Sequence, residues 1–453
     1  MKAMEQRKKE IRLAVSAALQ DAGEATRSLE IVKGLRESAP EGVSLQVVFF
    51  SHGGRFEEKA KENGFELYRS SPRLEGVGFR RDLKPSKVDF VGDEALACEL
   101  LRGEREALEA CKPDFLLYGF WPFAGIARRM TGTPVPGICF LPLPLERGLY
   151  CSGLMTDVPD QLRLLTCLPT GVRRALMKAI PAQAKQKAPI LQQRNIRNAA
   201  RECGWAGGEL RDLFDLMKPD LTVVNDLPEF YRGLSIPPNY QITGPLYSQP
   251  EPGEGVGEEI ERIFRKNGGK TKVFCTMGSS GSRESLLEAV KAIASLPEEQ
   301  FCAVVLVPKA VCPMEEAARI AAGRANLYLT DRFVPAKRVS AMADLVVSHG
   351  GQGTVQTAMA GGVPIVGVAM QPEQQINLDH VVQSGAAIRI PAARWNERNI
   401  RSAVLRVTGD PAFRRDARKL QGFMEQSDGR AACSAAIWHF IMNRDMPGPF
   451  AES

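Results

Sequence analysis

Residues 343–390 read ADLVVSHGGQGTVQTAMAGGVPIVGVAMQPEQQINLDHVVQSGAAIRI, a short apolar strand, a glycine-rich turn and a helix start in direct succession. Leu345, Val346 and Val347 make the strand, and His349, Gly350, Gly351, Gln352, Gly353 and Thr354 follow at once. Glycines in that turn let backbone N–H groups approach a ligand closely, and a helix beginning near Thr354 points its positive end at bound anions. The stretch predicts a diphosphate cradle at the carboxyl end of a strand.

The rest of the chain repeats this alternation. IRLAVSAAL, LQVVFFS, FLLYGF, PVPGICF and LTVVN in the first half, and KVFCTMG, CAVVLVP, ANLYLTD, LVVSHG and PIVGVAM in the second, are short apolar runs separated by helical stretches. Runs that do not alternate with polar residues suit a parallel sheet covered on both faces. A chain of 453 residues is too long for one ordinary core, so an α/β fold with two doubly wound, Rossmann-like parallel-sheet domains is expected. LYSQPEPGEGVGEE, residues 246–259, is rich in Pro, Gly and Glu and reads as a linker. The expected layout is a first domain at 1–245, a linker at 246–260, a second domain at 261–427 and a closing helix within 428–453. In open parallel sheets ligands bind beyond the carboxyl ends of the strands, so both sheets are expected to offer those ends to a shared cleft.

One segment breaks the alternation. An insertion at about 160–203 carries Arg163, Arg173, Arg174, Lys178, Lys185, Lys187, Arg194, Arg197 and Arg201 among leucines and alanines. It reads either as a solvated helical insertion or as a functional element, an acceptor-side lid or an interfacial piece drawn to anionic lipid headgroups. Apolar content of 44% and charged content of 25% are those of a globular protein in water, and a net charge of +6 makes no global case for nucleic acid. The ten cysteines form no CxxC pair and the four histidines leave little scope for a zinc cluster, so no metal is expected. No signal peptide and no run of ~20 apolar residues is read, which implies a cytoplasmic protein with at most peripheral contact at an inner membrane surface.

His349 to Thr354, then Gly362, Val363 and Pro364, then Glu373, Gln374 and Asn377, resemble the donor-binding signature of the UDP-glycosyltransferase-like family, which has the two-domain GT-B fold. The GEATRS segment near Gly23 is similar to a diverged form of that family's opening loop. The resemblance implies a hexosyltransferase that moves a sugar from a nucleotide diphosphate donor, with uracil favoured as the base, to a hydroxyl-bearing small-molecule or lipid acceptor, without a further cofactor. It places the acceptor in the first domain and the nucleotide sugar in the second, and it sets the basic insertion where the family's variable acceptor helices lie. His349, the N–H groups of Gly351, Gln352 and Gly353, and the Thr354 hydroxyl are then the phosphate ligands. His349 also acts as a catalytic residue by stabilising the departing diphosphate. Ser279 and Ser280 supply a facing phosphate loop, unless they merely cap a helix. Phe333 and Val334 flank the base, Thr357 stands where a ribose-binding glutamate is usual, and Glu373 with Gln374 meets the hexose hydroxyls.

The chain departs from the family pattern at the base. Glu24 stands where the family places a catalytic histidine, and LLYGFWPF carries no aspartate to orient one. Glu24, Asp21 or an acceptor acidic enough to need little help could satisfy the demand for proton removal. Two other readings stay open: a sugar-nucleotide 2-epimerase, and a non-catalytic sugar-nucleotide-binding protein that has lost the His–Asp pair. The absence of GxGxxG after the first strand disfavours a nicotinamide oxidoreductase.

Overall fold

The computed structural model describes residues 9–76, 78–86, 88–160, 162–247, 255–278, 281–332 and 334–443. The described residues within 1–151, 182–246 and 428–453 form one compact unit, and those within 152–181 and 247–427 form another.

The first unit holds seven parallel strands: β1 (Lys9–Ser16), β2 (Val43–Ser51), β3 (Glu66–Arg69), β4 (Phe115–Tyr118), β5 (Gly137–Leu141), β6 (Leu221–Val224) and β7 (Tyr240–Ile242). Their spatial order is β3-β2-β1-β4-β5-β6-β7, so the winding reverses between β1 and β4. Side chains of a strand point alternately to its two faces. Ile11, Leu13 and Val15 accordingly enter one core layer and Ala14 the opposite one. The helix Gly429–Met442 packs on the Ile11 side against Ala22–Glu37, where Trp438 Nε1 donates to Leu35 O at 3.2 Å and Arg430 pairs with Glu30 and Glu37. Gly34 permits this approach, since a Cβ there would lie 2.5 Å from Ser434 Oγ.

The second unit holds β8 (Thr271–Thr276), β9 (Phe301–Leu306), β10 (Leu327–Thr330), β11 (Leu345–Ser348), β12 (Ile365–Gly367) and β13 (Ala387–Arg389) in the order β10-β9-β8-β11-β12-β13, all parallel. Its winding reverses between β8 and β11. All ten apolar runs read from the sequence contain strands. The three strands that were not read, β3, β7 and β13, all lie at sheet edges, where one side is unpaired and the residues are partly exposed.

The layout differs from the expected one within the basic insertion, which is not a single piece. Residues 152–181 belong to the second unit, while 182–203 return to the first, where the helix Arg194–Glu202 buries Ile196, Ala199 and Ala200. Most of the expected linker, 248–254, lies outside the described residues. A buried charge network holds 152–181 in place. Arg389, with 3% of its side chain exposed, pairs with Asp157, with Asp160 at 2.7 Å and with Asp379 at 2.7 Å. Arg173 grips Asp157 from the other side at 2.7 Å. Gln375 accepts from the Asp160 N–H at 3.0 Å and donates to Val158 O at 3.0 Å. Burial pushes the Asp160 and Asp379 carboxyls up against the pull of Arg389, whereas bonds from Arg173 and Arg389 outweigh burial at Asp157 and hold it below the usual range.

Removing one partner from such a network strands the others without a countercharge, at a cost of about 3–5 kcal/mol. Arg389→Met is therefore expected to lower stability toward urea by that amount and to speed tryptic cleavage of the backbone after Arg163 and Lys178 ahead of global unfolding. An unchanged unfolding midpoint would show that the network contributes nothing net.

Candidate functional site

In open α/β sheets the crevice where the strand order reverses is where ligands bind. In the second unit that position lies between β8 and β11, paired so that Thr276 stands beside Ser348. The two strands end alike. Thr276 Oγ1 accepts from the Gly278 N–H at 3.2 Å, and Ser348 Oγ accepts from the Gly350 N–H at 3.2 Å. Both glycines have positive φ, 57° and 81°, a conformation costly for residues with a Cβ. The imidazole of His349, 5% exposed, lies between glycine backbones of these two turns. A Cβ on Gly278 would sit 2.5 Å from His349 Cε1, and one on Gly351 2.6 Å from Nε2.

Beyond His349 the chain enters the helix Gln352–Ala360, with Gly351 as its N-cap and no side-chain capping bond. Thr354 N–H turns back to Gly351 O at 3.0 Å, and Gly353 is exposed, with nothing within 4 Å of where its Cβ would lie. The first turn thus meets open space at Gly353, while Gln352 is buried.

The helix Pro372–Gln383 braces this turn. Asn377 Nδ2 donates to Gly350 O at 3.1 Å and to Glu373 Oε1 at 2.6 Å. Gln374 is 2% exposed and its Oε1 accepts from the Met370 N–H at 2.8 Å, so this side chain also secures its own loop. Thr357 is buried and its hydroxyl donates to Thr354 O at 3.1 Å, inside the helix. Val334 is buried, and Ser279, Ser280 and Phe333 lie outside the described residues. The structure therefore gathers His349, Gly351, Gly353, Thr354, Glu373 and Gln374 around one strand end.

Glu24 belongs to the first unit, on the helix Ala22–Glu37 that follows β1 at the other reversal point. Asp21 caps that helix, accepting from the Gly23 N–H at 2.8 Å and the Glu24 N–H at 3.2 Å. Glu24 itself is 7% exposed and packs on the backbone of Gly119, where any Cβ would fall 1.5 Å from Glu24 Oε2. Arg27 donates to its Oε1 at 3.0 Å. Burial raises the Glu24 carboxyl above its ordinary 4.5, against the pull of Arg27.

A second histidine escaped the sequence reading. Residues 51–54 and 348–351 are both SHGG, each at a strand end. His52 is buried, with Nδ1 3.1 Å from Pro72 O and Nε2 3.3 Å from Glu104. Glu104 Oε1 also accepts from Ser16 Oγ at 2.8 Å and Trp121 Nε1 at 2.7 Å. Both ring nitrogens of His52 face groups within the fold. Among the described residues no group of three or more His, Cys, Asp or Glu side chains is arranged to hold a metal ion.

Comparison with known proteins sets this geometry in a family. Residues 312–428 match the family described as "Erythromycin biosynthesis protein CIII-like, C-terminal domain". The 4'-demethylrebeccamycin synthase of Lentzea aerocolonigenes is 30% identical over 307 residues, 66% of each chain. The PGL/p-HBAD biosynthesis glycosyltransferase of Mycobacterium tuberculosis (strain ATCC 25177 / H37Ra) is 27% identical over 204 residues, 44% of this chain and 43% of that protein. The similarity thus spans less than half the mycobacterial protein's length. The solved structure titled "Spinosyn Rhamnosyltransferase SpnG complexed with thymidine diphosphate" superposes with a TM-score of 0.57 over 94% of this chain and 100% of its own, at 18% identity. The chain belongs to the UDP-glycosyltransferase-like family. Both units of this UDP-glycosyltransferase-like protein have the doubly wound parallel sheets of the GT-B fold, as the sequence led us to expect.

Gly278→Ala adds a methyl group where the His349 ring lies. If His349 donates to a diphosphate, as expected from the sequence, the substitution weakens uridine diphosphate binding at least tenfold, about 1.4 kcal/mol. His349→Ala should cost about 2–3 kcal/mol. Calorimetric titration of both variants, with thermal unfolding as the control, measures this, and wild-type affinity in either folded variant would remove the phosphate role from this turn.

Proposed function

We propose that the protein is an inverting glycosyltransferase that moves a hexose from a nucleotide diphosphate sugar to a hydroxyl-bearing small-molecule or lipid acceptor. The observation that carries the reading is the wedging of His349 between two glycine turns at the β8/β11 reversal point, beside a helix start that meets open space at Gly353. Transfer needs the departing diphosphate to be stabilised as its charge grows, and preorganised donors at a helix N-terminus do this without reorganising. In this reading His349, the N–H groups of Gly351, Gln352 and Gly353, and the Thr354 hydroxyl hold the phosphates, with Ser279 and Ser280 opposite. Phe333, Val334 and Thr357 border the base and ribose, and Glu373 with Gln374 meets the sugar. The thymidine diphosphate named in the spinosyn enzyme's title puts thymine beside uracil as a candidate base.

Glu24 is proposed as the general base. Asp21 is spent on the helix cap, whereas Glu24 has its basicity raised by burial and stands at the reversal point of the first sheet. Only the ionised carboxylate accepts a proton. Turnover should therefore fall as the pH drops through the Glu24 pKa, with the limb centred above 4.5 because burial raises that value.

Assay with uridine- and thymidine-diphosphate hexoses and phenolic or alcoholic acceptors tests the transferase reading, since transfer releases a free nucleoside diphosphate and joins the sugar to the acceptor. An epimerised donor, or binding without turnover, would replace that reading. Glu24→Gln keeps the size of the side chain but cannot take the proton, so turnover is expected to fall roughly a hundredfold while donor binding survives, and the acid limb should vanish. Wild-type turnover in Glu24→Gln would move the base elsewhere or make it unnecessary.

A further inference from the structure

The described residues contain eight exposed large hydrophobic side chains, and seven of them fall between 162 and 190. Six belong to the second unit: Leu162, Leu164, Leu165, Val172, Leu176 and Ile180, with Leu164 89% exposed. Single exposed apolar side chains are ordinary, but a contiguous group of them marks an interaction surface. The helix Thr170–Ala179 explains the arrangement. Arg173 and Met177 point inward and are buried, Arg173 being held by Asp157, while Val172, Leu176 and then Ile180 recur every fourth residue on the exposed side. Residues four apart share one helix face.

Charge identifies the occupant. Arg163 and Lys178 are exposed among these apolar residues and Arg174 is partly exposed, and no Asp or Glu occurs anywhere from 161 to 201. An apolar ridge flanked only by cations is the pattern of an element that lies in the interface of an anionic bilayer, its apolar side in the acyl boundary and its cations among the headgroups. No helix among the described residues is long and apolar enough to cross a membrane. We propose that residues 162–180 dock the protein on an anionic lipid surface. The network from Arg389 to Asp157 and Arg173 anchors the ridge to the second unit, so docking would bring that unit to the membrane as one piece. The inference stands apart from the transferase reading, because vesicle binding needs neither donor nor turnover.

Co-sedimentation of the full chain with vesicles tests it, using phosphatidylcholine alone and phosphatidylcholine with added phosphatidylglycerol. Wild type is expected to pellet at least tenfold more with the anionic vesicles at ~0.1 M salt and to be released at ~1 M, where the screening length shrinks from about 10 Å to about 3 Å. Val172→Ser with Leu176→Ser should abolish pelleting, and Arg163→Gln and Lys178→Gln should each weaken it about fivefold. Leu164→Ser provides a second apolar variant if the double variant misfolds, and Met442→Ser, the exposed hydrophobic outside the patch, should bind as wild type does. Failure of wild type to pellet, equal binding to both vesicle types, or wild-type binding by the ridge variants in folded form would overturn the proposal. Sedimentation velocity supplies the remaining outcome: a wild-type dimer that the ridge variants split, with no vesicle binding, would assign the surface to a second copy of the chain.

Discussion

The pairing of β8 with β11 is the constraint on which the candidate site depends. These strands are neighbours in space but distant in sequence, and their register sets Thr276 beside Ser348, so that two hydroxyl-braced glycine turns emerge together. The His349 ring then lies between two glycine backbones, where an added Cβ would come within 2.5 and 2.6 Å of it. In the role proposed for it, a ring confined in this way would lose little freedom on meeting a ligand.

The helix Pro372–Gln383 works on two sides at once. Through Asn377 it holds Gly350, and through Gln375 directly and Asp379 by way of Arg389 it holds the segment that bears the exposed apolar ridge. Both sets of contacts are largely buried, and buried polar groups are costly unless satisfied. These contacts tie the second unit together from its glycine turn to residues 157–173. The ion pair with buried Asp157 explains why Arg173 is no surface cation although it lies in a strongly basic stretch.

In the proposed mechanism a buried carboxylate stands in for the histidine that the family resemblance implies at the base position. The family histidine is absent and so is an acid after β4, but Gly119 leaves room that Glu24 fills. A carboxylate in water is a weak base. Burial corrects part of that weakness by penalising the charged form, and Arg27 limits the correction.

Much of this was legible in the chain. Continuous apolar runs named ten strands, and the turn, GVP and EQ elements in order pointed to the family, because buried parallel strands and close backbone approach leave little choice of residue. The edge strands β3, β7 and β13 were not legible, since a half-exposed strand of three or four residues carries no decisive pattern. Neither was the division of the basic insertion between two units, which rests on salt bridges spanning more than two hundred positions. The duplicated SHGG shows the limit most clearly. Ser51 and Ser348 brace their glycine turns in the same way, at 3.1 and 3.2 Å. Yet β2 lies one strand away from its sheet's reversal point, and the turn after it is closed by its own chain: a Cβ on Gly54 would meet Leu19 C at 2.3 Å and one on Gly53 Leu74 O at 2.7 Å. The sequence by itself determined two histidine-bearing glycine turns at strand ends. Only the order of the strands decided that one became a buried brace for Glu104 and the other a candidate phosphate site, because open space beyond a strand end exists where neighbouring connections leave in opposite directions.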